Sequence, residues 1–246
     1  AVNNSAPGGK RLTLAGIMIA ALLAAGCGKT EGPATGTTMV NLLLYQEQEA
    51  GIEPYPVRIM VSPQFVRFDD GYPGSDFMLM ERASRTIFNV SQEERSILVI
   101  ANPPVAPVLP EDLSLSETRE TDPSAPLIAG KQAVHIRYLA NGEECYQAIV
   151  VPGLLPEATA GLAEFAVILG ERQRGDLQSV PADMQTPCFL ARYAYAPERH
   201  LLEGLQVQEW DSAGYRRTLT DFRTGESVSR ELFELPQDFE RLQLGN

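Results

Sequence analysis

A succession of short apolar runs separated by turn residues most constrains the fold of this chain. In the first hundred residues, the runs that predict strands are 39–45, 57–61, 65–68, 76–81, 85–90 and 96–100. Such runs, bounded by Gly, Pro, Asn, Asp and Ser, are typical of an antiparallel meander. Val57, Ile59 and Val61 alternate with Arg58 and Met60, which predicts one buried face and one face in water. The last run lacks this alternation, so we expect a strand covered on both faces.

The strand pattern resumes after residue 130. Val134, Ile136 and Tyr138 alternate with polar residues, and Asn141-Gly142 precedes a returning run at 145–151. Asn-Gly between two such runs is the strongest short signal for a β-hairpin. Further strands are predicted at 188–196, 205–211, 215–222 and 231–235, with residues 211–214 as a tight hairpin turn.

One segment changes to helical periodicity. Between residues 157 and 174 the apolar stripe consists of Ala158, Leu162, Phe165, Ala166 and Leu169. Pro156 near its start and Gly175 near its end are typical helix boundaries. The predicted fold class is therefore mainly β (α+β): an antiparallel curved sheet or half-open barrel with one helix packed on it, forming a single domain over residues 39–246.

Residues 102–130 interrupt the strand pattern with six prolines and an acidic middle. Proline blocks ladder hydrogen bonds, and this composition does not form a core. We expect a long exposed loop, either an arm that binds a partner or a solvated excursion. A linker between two domains is the alternative, but the runs on both sides have the pattern of one sheet.

The segment 12–27 has the features of an export signal. Lys10 and Arg11 precede an apolar core of about a dozen residues at 12–23, followed by small residues. A helix that crosses a bilayer needs roughly 20 apolar residues, so this core predicts a signal peptide over residues 1–26. Residues 27–38 are small, polar and rich in Gly, which predicts a flexible tether.

Residues 23–27, Leu-Ala-Ala-Gly-Cys, resemble the lipobox of bacterial lipoproteins. The resemblance implies that Cys27 becomes the mature N-terminus and carries acyl chains such as palmitate, which anchor the protein in a membrane. Because Gly28 rather than aspartate follows the cysteine, the family's sorting rule implies a lipid-anchored protein of the outer membrane that faces the periplasm. In other bacteria Lys29 can influence sorting, so the inner membrane is an alternative location. The alternative to a lipobox is an ordinary signal peptide with an unmodified Cys27.

Cys145 and Cys188 remain once Cys27 carries lipid. Two cysteines in an oxidising compartment predict a disulfide. The loop it closes has about 40 residues, for which chain entropy corresponds to about 4 kcal/mol. Two reduced thiols in the core are the alternative.

The composition argues against several function classes. The net charge of −12, and the absence of a run of Lys and Arg, argue against nucleic acid as a partner and against adhesion to anionic lipid through side chains. Neither His135 nor His200 lies in a metal-ligand spacing, and both are expected to be structural or surface residues. Asp69, Asp70 and Asp76 do not match a calcium loop.

The sequence also lacks a Gly-x-Ser-x-Gly elbow and a Gly-rich phosphate loop. No catalytic residue, metal ligand or cofactor is predicted, and the protein is not expected to be an enzyme. The remaining candidates are aromatic: Phe189, Tyr193 and Tyr195 share one face of the predicted strand 188–196. They face either a ligand cavity or a filled core.

The chain ends on Phe233-x-Leu235-Pro236-x-x-Phe239. With the lipidated start, the antiparallel strands and the helix, this ending resembles the LolA and LolB lipoprotein carriers, in which a curved sheet holds acyl chains on its concave face. The internal helix and the Pro-rich loop depart from that family's pattern.

We therefore predict a membrane-anchored envelope lipoprotein with a non-enzymatic periplasmic β domain that binds an apolar or lipidic ligand. The alternative is a structural or assembly-partner lipoprotein that docks on another envelope protein.

Overall fold

The protein is mainly β in the computed structural model, which describes residues 36–101 and 104–243. Twelve strands form one large curved sheet that does not close. They are β1 Thr37–Gln48, β2 Tyr55–Val61, β3 Phe65–Asp69, β4 Phe77–Glu81, β5 Thr86–Ser91, β6 Ser96–Ala101, β7 Leu115–Glu120, β8 Val134–Ala140, β9 Glu143–Val151, β10 Leu205–Trp210, β11 Arg216–Ser229 and β12 Glu240–Gln243.

Across the sheet, the strands run from β6 back to β1 and then from β11 back to β7. The strands lie in the order β12-β6-β5-β4-β3-β2-β1-β11-β10-β9-β8-β7. All neighbours pair antiparallel except β12, which runs parallel to β6. The long strands β1 and β11 pair at the centre and join the two meanders into a single sheet. The predicted fold class is confirmed.

The helix α1, Pro156–Gly175, packs on one face of the sheet, which we call the α1 face. Phe165 contacts Phe68 of β3 with ring centroids 4.4 Å apart. Ala158, Leu162 and Phe165 are buried, whereas Ala166 and Leu169 pack against the same core but stay half-buried. The predicted stripe is thus the face that α1 turns toward the sheet.

The opposite face of the sheet is also covered, so the expectation of a wet face on β2 was wrong. Met60 is fully buried, in a second core with Val40, Leu42 and Phe233. Phe233 belongs to a 3₁₀-helix, Arg230–Phe233, and stacks on Phe65. The C-terminal segment, with Leu235 and Phe239, covers this core.

Two predicted strands are helical. Residues 188–196 form a short α-helix, Pro187–Phe189, which continues as a π-helix, Leu190–Tyr195. Residues 231–235 overlap the 3₁₀-helix Arg230–Phe233. Two more 3₁₀-helices, Leu177–Ser179 and Ala182–Met184, connect α1 to the Pro187–Phe189 helix.

The Pro-rich loop contains a strand that the sequence did not predict. β7 pairs with β8 at one edge of the sheet, and Leu113 before it is buried. Apart from Leu115, its residues are polar on both faces, which suits an exposed edge and leaves no apolar alternation to detect. Most other described side chains of the loop are exposed: Val108 is 84 % exposed and Leu127 is 60 % exposed.

The segments that predict a signal peptide and the Cys27 lipobox lie outside the described residues. The tether was predicted to extend to residue 38, but β1 already begins at Thr37. Within residues 36–101 and 104–243, no helix combines the length and the apolar composition that a bilayer crossing requires.

Candidate ligand-binding cleft

A cleft of about 1040 Å³ opens on the α1 face of the sheet. Its volume is at the upper end of the roughly 300–1,000 Å³ that is usual for ligand sites. One wall is apolar and joins the inner face of α1 to strands β2 to β4. It consists of Val57, Phe68, Met78, Leu162, Phe165, Ala166, Leu169, Pro197 and Leu201.

The other wall is a polar row that crosses four neighbouring strands. Tyr55 of β2 pairs with Glu47 of β1, Glu47 pairs with Arg217 of β11, and Arg217 pairs with Glu209 of β10. Residues directly opposite each other on paired strands point to the same face. All four line the cleft, so we call Tyr55, Glu47, Arg217 and Glu209 the polar row.

A β-bulge brings a fifth polar residue to this face. Gln206 pairs with Val150 and Glu209 pairs with Ala148, while the register shifts between Gln206 and Gln208. Val150 and Ala148 are two residues apart and share a face, so Gln206 and Glu209 do too, although three residues separate them. The extra residue is Val207, and re-aiming a side chain is a common role of a bulge.

Glu209 is the centre of the hydrogen bonds in the cleft. It is 5 % exposed, and its Oε1 accepts from Arg192 Nη2 at 2.7 Å. Its Oε2 accepts from Gln206 Nε2 at 2.9 Å and lies 3.8 Å from His200 Nε2. Burial of a carboxylate requires such compensation.

Arg192 reaches the cleft from the π-helix. Besides Glu209 it donates to Asp211 Oδ2 at 2.6 Å, and its guanidinium lies over the rings of Tyr146, Tyr193 and Tyr215. Burial opposes its charge, but Glu209 and Asp211 raise the pKa of Arg192 above its ordinary value. Arg192 therefore remains a cation in the protein.

The predicted disulfide positions this helical segment. Cys145 of β9 and Cys188 are bonded, with their Cα atoms 5.1 Å apart. The bond ties the start of the helical segment to the strand that neighbours β10, where the polar row ends. It therefore helps to fix where Arg192 and Tyr193 meet the cleft.

Arg217 is held by charge and ring contacts rather than by well-formed hydrogen bonds. Its Nε lies 3.1 Å from Glu47 Oε1, and its guanidinium lies 4.1 Å from the ring centre of Tyr45. Tyr45 donates to the Gln206 carbonyl oxygen at 2.8 Å, and burial raises the pKa of Tyr45 to about 12. Tyr45 thus stays an un-ionised hydrogen-bond donor below the polar row.

The structure places the three aromatic candidates differently. Tyr193 lines the cleft, whereas Phe189 and Tyr195 are not among its lining residues. Phe189 contacts Tyr193, and Tyr195 packs against Leu113 and Ala140. The sequence predicted that these three side chains share one face of a strand. They do not, because residues two apart point in different directions in a helix.

His200 is buried rather than exposed at the surface. Its side chain is 13 % exposed, and burial lowers the pKa of His200, against a smaller opposing effect of Glu209. His135 shares a hydrogen bond with Gln147 and stacks on Trp210, away from the cleft lining.

The acidic turn residues have structural partners. Asp69 accepts from Arg58 and Arg67, Asp70 accepts from a backbone N–H of the same turn, and Asp76 accepts from Gln92 N. In the part of the chain that the structure describes, no group of three His, Cys, Asp or Glu is placed to hold a metal.

Sequence reasoning missed the polar row, Gln206 and Arg192. The signal that could have found the row is the pairing of charged positions across predicted strands, but this requires the register of β1 with β11, two strands separated by most of the chain. The bulge at Val207 leaves no mark in the alternation of a six-residue strand.

Comparisons with known proteins give no family. No family model matches the chain, and no curated protein matches it. Among solved structures, an uncharacterized conserved protein from Thermus thermophilus is similar with a TM-score of 0.41 and 11 % identity, over 86 % of this chain and 92 % of that chain. A structure of PNGF-II is similar with a TM-score of 0.43 and 10 % identity, over 84 % of this chain and 31 % of that chain. The chain therefore spans about a third of PNGF-II, and neither likeness supports a functional assignment.

Proposed function

We propose that this protein is a membrane-anchored envelope lipoprotein whose β domain binds an apolar or lipidic ligand in the cleft on the α1 face. The observation that carries the binding role is the cleft itself, with its apolar wall from α1 and strands β2 to β4. A concave, mainly apolar site with a few convergent polar groups is the usual form of a small-ligand site. Binding rather than catalysis is the proposed role.

The size and shape of the wall favour a long apolar ligand. Leu162, Phe165 and Leu169 recur along the inner face of α1 and lie opposite Phe68 and Met78 of the sheet. Burial of an apolar chain against such a surface gains about 0.8 kcal/mol per CH₂ group. The proposed ligand therefore contributes most of its affinity through a hydrocarbon part.

Filling the cleft tests the binding role. Ala166→Trp places an indole on the inner face of α1, and we expect it to displace the ligand. The control is Ala160→Trp on the exposed face of the same helix. Native mass spectrometry of protein purified from its host should recover a bound acyl species with the parent chain and with Ala160→Trp, but not with Ala166→Trp. Recovery of no lipid from the parent chain would contradict the proposal.

The anchor rests on the lipobox resemblance at residues 23–27. Mass spectrometry of the mature N-terminal peptide should find Cys27 as the first residue with acyl chains attached. The Cys27→Ser variant should remain unprocessed at this site and carry no acyl chain. An unmodified Cys27 in the mature protein would refute the anchor while leaving the cleft as a binding site.

A second candidate function rests on the Pro-rich loop. Val105 and Val108 are 58 % and 84 % exposed on a segment without regular structure, and they are the residues through which the loop would contact a partner. Docking on another envelope protein would then use this loop. Val108→Ser should weaken a cross-linked complex in intact cells if this role is correct, and an unchanged cross-linking pattern would argue against it.

A further inference from the structure

Unsatisfied polar atoms concentrate at the polar end of the cleft. Over residues 36–101 and 104–243, six buried side-chain atoms have no hydrogen-bond partner, and four of them belong to Arg217, Gln206 and His200. They are Arg217 Nε and Nη2, Gln206 Oε1 and His200 Nδ1. Arg217 Nε lies 3.1 Å from Glu47 Oε1 in an ion pair, but the contact lacks hydrogen-bond geometry. A buried polar atom without a partner destabilises the protein. Because three such side chains line one cleft, a bound molecule is expected to supply the missing hydrogen bonds.

These atoms require both a donor and an acceptor from the ligand. Arg217 can only donate, while Gln206 Oε1 can only accept. The orientation of the Gln206 amide is fixed, because its Nε2 donates to Glu209, which as a carboxylate only accepts. Burial lowers the pKa of the nearby His200, and a side-chain interaction with Gln206 opposes this shift. His200 Nδ1 and Gln206 Oε1 nevertheless form no well-aligned hydrogen bond.

The charge of the lining excludes an anionic head group. Two arginines, Arg192 and Arg217, face six acidic residues: Glu47, Glu49, Asp69, Asp70, Asp76 and Glu209. Arg192 is already engaged by Glu209 and Asp211. Even with Asp69 neutralised by Arg58 and Arg67, the lining is net negative. A phosphate or sulfate head group would be repelled by this charge.

A cationic head group fits the charge but not the hydrogen bonds. A quaternary ammonium neither donates nor accepts, and a primary ammonium leaves the Arg217 donors unsatisfied. A hydroxyl group donates and accepts at once, so adjacent hydroxyls satisfy Gln206 Oε1 and the Arg217 guanidinium together.

We propose, on the basis of the function proposed above, that the ligand is an uncharged amphiphile with a hydroxylated head group of the sugar or glycerol type. Its hydroxyls bind Arg217 of the polar row and the neighbouring Gln206. Its hydrocarbon chain lies against the apolar wall formed by Leu162, Phe165 and Leu169.

Three probes with the same chain and different heads test this assignment. Decyl glucoside, decyl phosphate and decyltrimethylammonium are titrated calorimetrically into the full chain, each below its micelle concentration. The chain carries Cys27→Ser, so that no acyl group of its own competes. We expect decyl glucoside to bind at least about tenfold more tightly than either charged probe, as expected for one to two additional hydrogen bonds.

The variant Arg217→Lys keeps the charge and removes the forked donors. It should weaken decyl glucoside about tenfold and leave decyltrimethylammonium unchanged. Arg85→Lys is the control, because Arg85 also has a buried Nε without a hydrogen-bond partner but is not part of this cleft. It should change none of the three affinities.

The outcomes separate the two proposals. Equal affinities for the three probes, or tighter binding of a charged probe, would overturn the head-group assignment and leave lipid binding intact. Failure of all three to bind would overturn both. If Arg217→Lys does not fold, the ranking of the probes on the parent chain still decides the assignment.

Discussion

At the scale of single residues, Glu209 and His200 determine the chemistry of the cleft. Hydrogen bonds from Arg192 and Gln206 compensate the buried charge of Glu209. His200 lies 3.8 Å from the same carboxylate, and burial is the main influence on its pKa. His200 lies in a turn that begins at Pro197, and the sequence predicted a structural or surface histidine. It left the orientation of the imidazole open, because the composition of a turn does not encode which of its sides is covered.

The low pKa of His200 predicts a pH dependence of stability. In the unfolded chain the imidazole takes up a proton near its ordinary pKa of about 6.5, whereas in the folded protein burial lowers that pKa. Below about pH 6.5 the unfolded chain therefore binds more protons than the folded protein, and the free energy of unfolding falls as the pH falls. Glu209, Arg192 and Arg217 face the imidazole and set how far its pKa is lowered.

The measurement is the urea midpoint between pH 7.5 and pH 5 for the parent chain and for His200→Gln. The parent chain should lose stability on acidification more steeply than the variant. His135→Gln is the control, because that histidine lies outside the cleft. Parallel curves for the parent chain and His200→Gln would contradict the prediction.

At the scale of elements, local signals predicted what local interactions determine. The Asn141-Gly142 turn is confirmed, with both residues at positive φ, and α1 begins with a proline in its first turn. The strand predicted at 188–196 was wrong, because the alternation of Phe189, Ala191, Tyr193 and Tyr195 was outweighed by a local helix-start signal. The overlooked signal was Thr186-Pro187: Thr186 caps the helix by accepting from Phe189 N, and proline is common at the first helical position.

Close packing of α1 against the π-helix gives a prediction at this scale. A Cβ atom added at Gly170 would lie 2.7 Å from Pro197 Cγ and 3.2 Å from the Ala194 carbonyl oxygen. Alanine improves helix propensity by about 1 kcal/mol, but overpacking costs about 1–3 kcal/mol and here involves backbone. We expect Gly170→Ala to lower the free energy of unfolding by about 1 kcal/mol.

Gly175→Ala is the matched control near the end of the same helix, because its added Cβ would meet nothing within 4 Å. It should leave stability unchanged or raise it. Both are measured by chemical unfolding, and equal effects of the two variants would show that α1 and the π-helix do not pack as closely as described.

At the scale of the whole molecule, the sheet joins two meanders through strands that are distant in sequence. The sequence predicted its class and most of its strands, but not the pairing of β1 with β11 or the covering of both faces. The edge strands β7 and β12 escaped prediction because their side chains are largely exposed and polar, as suits edges that must not pair with other chains.

The disulfide Cys145–Cys188 acts at this scale, since it closes a sequence separation of 43 residues. Removing it with Cys145→Ser and Cys188→Ser together should lower the free energy of unfolding by about 4 kcal/mol. It should also weaken decyl glucoside binding, because the helical segment that carries Arg192 is released. Cys27→Ser should affect neither quantity. Unchanged stability in the double variant, followed by thermal and urea unfolding, would contradict this role.

The bulge at Val207 determines how relatives of this chain should be aligned in β10. In a regular strand, residues two apart share a face, so a relative without the bulge would carry its amide and its carboxylate two residues apart instead of three. Such a relative would be one residue shorter within the strand and could still present both groups to the cleft. Aligned without a gap, it would place the wrong residue opposite Glu209 and would wrongly suggest that the carboxylate had been lost.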